Sequence, residues 1–71
     1  MTLKTAPTGK EFIISAIEIK DAELEAFLFS LGCYSGEPIT VVSRRRGGHV
    51  VAIKDGRYHI DDQLADAITV E

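Results

Sequence analysis

The hydrophobic pattern changes period twice along the chain. Residues 11–19, EFIISAIEI, put Phe12, Ile14 and Ala16 on one face and Ile13, Ser15 and Ile17 on the other. β-Branched residues dominate, so this pattern predicts a strand with both faces partly covered. PTG at 7–9 supplies the turn before it. The period then lengthens. Leu24, Phe27, Leu28 and Leu31 stand at i, i+3, i+4 and i+7, one apolar stripe of a helix over about 22–31 that is expected to pack on the sheet. Asp21 fits the N-cap, where a carboxylate accepts first-turn amide hydrogens. Glu23 and Glu25 favour the positive end of the helix dipole.

The helix ends in LGCYSGEPITVV, residues 31–42. Gly32 fits the C′ position, where a left-handed backbone is cheap only without a Cβ. Cys33 is then C″, a small hydrophobe expected to pack back on Leu28. Gly36 lies in the turn before the next strand. Gly32, Cys33 and Gly36 together read as a structural corner. A reactive thiol would need a lowered pKa, and no sequence neighbour of Cys33 supplies one.

Alternation resumes at 38–44, 49–54 and 57–60, with a short strand at 68–70. Gly47-Gly48 and Asp55-Gly56 are the hairpin signals between them. DDQLADA at 61–67 reads as a helical turn capped by Asp61 or Asp62. The predicted architecture is mainly β, a small barrel of about five strands with one inserted α-helix, closing its own edges. It forms a single domain over 1–71.

The length restricts what the fold can do. A 71-residue chain buries only about 60% of the surface its unfolded form exposes. Little stability is left for a large polar active site, which argues against an enzyme. A hydrophobic content of 45% argues against disorder. The single cysteine excludes an internal disulfide. No apolar run approaches the roughly 20 residues of a membrane helix, and the start lacks a signal-peptide pattern, so a cytoplasmic location is expected. The net charge of −3 argues against a general nucleic-acid binder. That charge is uneven. Arg44, Arg45, Arg46, Lys54 and Arg57 cluster with only Asp55 among them, and the chain after Arg57 carries no Lys or Arg.

No catalytic constellation emerges. Asp61-Asp62 is adjacent in a cap rather than placed across a pocket, as acid/base work requires. His49 and His59 flank one predicted hairpin and could face each other as a two-histidine transition-metal site. With no CxxC, HxH or HxxxH, that is too few ligands for a closed site, so no metal and no cofactor is assigned. Phe29 lies roughly 140° from Leu24 around the helix, off the apolar stripe. With Tyr34 it forms a candidate aromatic contact patch for a partner protein, helped by Arg44, Arg45 and Arg46.

Four stretches carry a family pattern: LKTAPTGKEFIISAI, FLFSLGCYSGEPITVV, GGHVVAIKDGRYHI and ADAITV. Together they resemble the small ferrous-iron transport protein A family, FeoA, over a span that runs from about residue 3 to 70. That family's helix–LG–x–x–G–x–x–I–x–V corner falls on Leu31, Gly32, Gly36, Ile39 and Val41, and its closing alanine, isoleucine and valine on Ala67, Ile68 and Val70. The resemblance implies an SH3-like barrel and a cytosolic accessory role beside the membrane ferrous-iron transporter FeoB. It also implies a second use of the fold, as the C-terminal part of metal-dependent repressors. This chain departs from the family in carrying Ser35 where a proline is common, acidic residues in a helix that is often basic, and Asp61-Asp62 where a Leu-Arg pair is common.

The leading reading is a non-enzymatic accessory domain acting by protein contact with the cytosolic part of a FeoB-type transporter, without membrane insertion or nucleic-acid binding. The alternative is a metal-binding or metal-responsive module. A third reading is a small-barrel RNA binder using Arg44, Arg45 and Arg46, which lack the stacking aromatics such binders use. The oligomeric state is left open.

Overall fold

β1 (Glu11–Ile17) is the hub of the sheet. The computed structural model describes residues 1–71. On one side β1 pairs with β2 (Pro38–Arg45), and on the other with β5 (Ile68–Val70). β2 pairs with β3 (Gly48–Ile53), and β3 with β4 (Gly56–Asp61), all antiparallel in the order β4-β3-β2-β1-β5. α1 (Ala22–Ser30) follows β1, and α2 (Asp62–Ala67) joins β4 to β5. A 3-10 turn spans Leu3–Thr5, an element the periodicity did not signal.

Two bulges, between Ile14 and Ala16 and between Val41 and Ser43, bend the sheet. The bent sheet wraps a core that includes Phe12, Ile14, Ile39, Val41, Val51, Ile53, Ile60, Ile68 and Val70. The edges are managed differently from the self-closing barrel expected. β4 and β5 do not pair with each other. α2 spans the gap between them, with Ala65 fully buried, and the N-terminal turn adds buried Leu3 and Ala6. Thr2 bridges to Thr69, and the Val70 N–H donates to the Met1 carbonyl at 2.8 Å.

Both hairpin loops lie one residue earlier than the glycine signals suggest. Arg45 pairs with Gly48, so Arg46-Gly47 is the first loop, with Gly47 at φ 77°. Ile53 pairs with Gly56, so Lys54-Asp55 is the second, with Lys54 at φ 52°. Gly48 and Gly56 sit inside strands instead. A Cβ at either would collide, with the Ile60 carbonyl and His59 ring at Gly48 and with the Tyr58 ring at Gly56.

The expected packing of the α1 stripe needs correction. Of its residues only Leu28 is buried, and Leu31 is half-buried. Leu24 and Phe27 are 38% and 51% exposed. The helix is short and approaches the barrel through its C-terminal turn, so a single apolar position anchors it. Leu28→Ala should therefore cost about 2–5 kcal/mol, whereas Leu24→Ala and Phe27→Ala should each cost less than about 1 kcal/mol. Urea unfolding of the three variants measures this difference.

Candidate partner-binding surface

The surface is built on the corner after α1. Asp21 caps the helix start, accepting from the Glu23 and Leu24 amides. At the other end the Gly32 N–H donates to Phe29 O at 3.0 Å, and the Cys33 N–H to Leu28 O at 2.9 Å. This is the Schellman pair, with Gly32 at φ 92° as C′ and Cys33 as C″. Cys33 and Leu28 enter the same buried cluster, as the sequence reading expects. The corner is then tied to β1. The Gly36 N–H donates to Ile14 O at 2.7 Å, the Ile14 N–H to Glu37 O at 2.9 Å, and the Ser35 hydroxyl to Ser15 O at 3.1 Å.

Phe29 and Tyr34 meet on this corner, ring centroids 4.7 Å apart and tilted by 31°. Phe29 is 63% exposed, and Tyr34 is half-buried. The pair is backed by a residue the sequence reading missed. The Lys54 stem crosses Gly32 so closely that a Cβ there would lie 2.7 Å from Cε. Its ammonium sits 5.6 Å from the Tyr34 ring centre and 3.0 Å from the Glu37 carboxylate. The Lys54 ammonium bonded to Glu37, with the nearby Tyr34 hydroxyl second, holds that carboxyl below its ordinary range, and Glu37 in turn raises the Lys54 ammonium. No local signal marks this latch, because it joins the corner between α1 and β2 to the β3–β4 loop.

The three arginines do not join the aromatic pair. Arg44, Arg45 and Arg46 lie at the tip of the β2–β3 hairpin, while Lys54 marks the other end of β3. A strand of that length separates the two by roughly 20 Å. Arg44 is also committed elsewhere, its guanidinium donating to the Lys4 and Ala6 carbonyls and holding the N-terminal turn. Arg45 and Arg46 point to solvent without partners.

The histidines are separated too. A two-residue loop pairs residues of opposite parity, so His49 lies opposite Ile60 and His59 opposite Val50. His49 and His59 therefore occupy opposite faces of the hairpin. His49 is buried, its Nδ1 3.4 Å from an Asp62 carboxylate oxygen and without a hydrogen bond, while His59 is exposed. Asp61, not Asp62, caps α2, accepting from the Leu64 N–H at 2.8 Å. No three His, Cys, Asp or Glu side chains converge on a metal-holding geometry.

Two grooves flank α1. One runs between α1 and α2 and is lined by Glu18, Ile19, Leu24, Asp61, Leu64 and Ala67. The other lies under the aromatic pair and is lined by Ile17, Glu25, Phe29, Cys33, Tyr34 and Ser35. They enclose about 250 and 230 Å³. Both fall below the ~300 Å³ at which small-molecule pockets begin, a size suited to side chains of a partner.

The family profile described as the FeoA domain matches residues 1–71, the whole chain. The chain belongs to the FeoA-domain family. Among solved structures, a crystal structure of an iron uptake regulatory protein, FeoA, superposes with a TM-score of 0.85 at 22% identity, covering 99% of this chain and 93% of its own. Stenotrophomonas maltophilia FeoA in complex with zinc gives 0.85 at 20% identity, covering 100% and 89%. That protein is described as a prokaryotic SH3-domain protein and a candidate ferrous iron transport activating factor. Iron(II) transport protein A from Clostridium thermocellum gives 0.90 at 27% identity, covering 100% of this chain and 44% of its own. A search of curated proteins returned no match. The FeoA fold is thus the SH3-like arrangement that the resemblance implies, with five antiparallel strands. No helix in this FeoA domain is long and apolar enough to cross a membrane.

Burial pushes the Cys33 thiol up to about 11 from an ordinary 9.0. The unfolded chain loses that proton near pH 9 and the folded chain keeps it to about 11. The stabilisation is therefore whole below pH 9 and declines as pH rises from 9 toward 11. Urea midpoints at about pH 8 and about pH 10.5 should fall further apart in the wild type than in Cys33→Ala, which lacks the thiol.

Proposed function

We propose that this FeoA domain is a non-enzymatic, cytoplasmic accessory protein of ferrous iron uptake. It acts by binding the cytosolic part of a FeoB-type transporter through the face that carries α1. The observation that supports this reading is the Phe29–Tyr34 pair, a solvent-facing aromatic stack on a corner fixed by hydrogen bonds on both sides. Aromatic residues in fixed rotamers are the usual anchors of protein interfaces. Arg45 and Arg46 act at a distance from the anchor, raising encounter rate rather than bound-state affinity. Membership of the FeoA family, and the description of a structural neighbour as a candidate transport activating factor, favour iron uptake as the setting.

The metal-module alternative has less support, because His49 and His59 occupy opposite faces and Cys33 is sealed in the core. Binding of the isolated cytosolic part of the cognate transporter tests the lead. Phe29→Ala should raise the dissociation rate by about thirtyfold or more, the factor expected for a hot spot of roughly 2 kcal/mol. Its unfolding midpoint should remain near wild type, since the ring is exposed. Amide shifts confined to the Phe12 face or to 61–67 would overturn the surface assignment.

A further inference from the structure

The start of α1 is acidic, and the Lys54 ammonium beside Tyr34 is already paired with Glu37. Glu18, Asp21, Glu23 and Glu25 surround the first turns of the helix, and Lys20 is the one cation among them. None of these carboxylates has a salt-bridge partner; the ion pairs of the protein are His49–Asp62 and Lys54–Glu37. Each groove is apolar with a carboxylate on its rim, Glu18 and Asp61 on one side of α1 and Glu25 on the other. Phe27 and Phe29 stand 51% and 63% exposed on opposite flanks of α1, about 160° apart around the helix, with Phe29 at the edge of the second groove. An apolar surface of this kind marks an interaction site.

Resting on the reading that this face binds a partner, we infer that its occupant is a basic amphipathic helix, apolar on one side and flanked by Lys or Arg. Apolar side chains of such a helix pack on Phe29 and Tyr34 and fill the groove beneath them. Its cations meet the unpaired carboxylates of the rim. Charge decides against the other occupants. A second copy of this chain seated face to face would oppose like carboxylates, which costs affinity. The basic β2–β3 tip of a second copy carries the opposite charge, but Arg45, Arg46 and Gly47 offer no apolar side chain to the grooves. An anionic membrane is repelled by the acidic rim.

The probe is a synthetic peptide of about fourteen residues, roughly four helical turns, with leucine on one face and lysine on the other. A second peptide replaces every lysine with glutamate. Titrated into the labelled 71-residue chain, the lysine peptide should shift amides of α1 and of residues 33–35, and the glutamate peptide should not. A Glu18→Lys, Glu25→Lys variant leaves both helix caps intact. It should weaken the lysine peptide, and the cytosolic part of the transporter, by roughly tenfold at low salt and much less at high salt. Phe29→Ser should weaken both probes at any salt. Equal binding of the two peptides, self-association through α1 in sedimentation, or binding to phosphatidylserine vesicles would each overturn the inference. If the transporter fragment binds α1 with no dependence on salt or on the charge reversal, the inference falls while the proposed function stands. If the fragment binds elsewhere, that reading falls first.

Discussion

The left-handed backbone at Gly32 is the constraint on which the functional face depends. At φ 92° it ends α1 and turns the chain so that Leu28 and Cys33 enter the core together. The same turn aims Phe29 and Tyr34 outward and side by side. It also leaves room for the Lys54 stem, which lies where a Cβ would be. Any L-residue there meets two penalties at once, an unfavourable φ and a collision with Lys54. The helix cap, the aromatic pair and the Lys54–Glu37 latch are therefore consequences of one glycine.

Lys54 holds the latch from an unusual position of its own. A non-glycine residue at φ 52° is uncommon and carries a backbone cost. Its side chain spans from the β3–β4 loop to the corner and ends on Glu37 and Tyr34. Because the ion pair is solvent-exposed, its own contribution to stability is small. Its effect is positional, fixing where Tyr34 and hence Phe29 can lie. Arg44 plays the matching part at the other end of the barrel, bonding to the Lys4 and Ala6 carbonyls.

Much of this was legible in the residues, and what was not has identifiable causes. The helix start at Asp21, its end at Gly32 and the inward Cys33 follow from capping chemistry, which is local. The five strands and the exposed Phe29 follow from periodicity. Periodicity failed for Leu24 and Phe27, because an apolar stripe records what a helix can bury rather than what lies opposite it. The glycine pairs point to hairpin loops one residue late, since Gly48 and Gly56 are required by close cross-strand and ring contacts rather than by the turns. Register then put His49 and His59 on opposite faces, and sheet topology put the arginines at the far end of β3 from the aromatic pair. Both outcomes depend on long-range pairing that short-range spacing does not encode.

The misread stripe is also the most informative departure. In a domain this small, an apolar residue left in water is surface the core did not use. α1 begins with unpaired carboxylates and ends in a rigid corner, with Phe27 and Phe29 exposed between. Rigid presentation matters for binding, because ordering a side chain on association costs about 0.5–1.5 kcal/mol each. At this corner much of that ordering accompanies folding, with the backbone held by the Gly32, Cys33 and Gly36 amides and the Tyr34 ring by Phe29 and Lys54. The helix thus trades packing against its own barrel for a pre-formed face, and the acidic rim restricts which partner can take it.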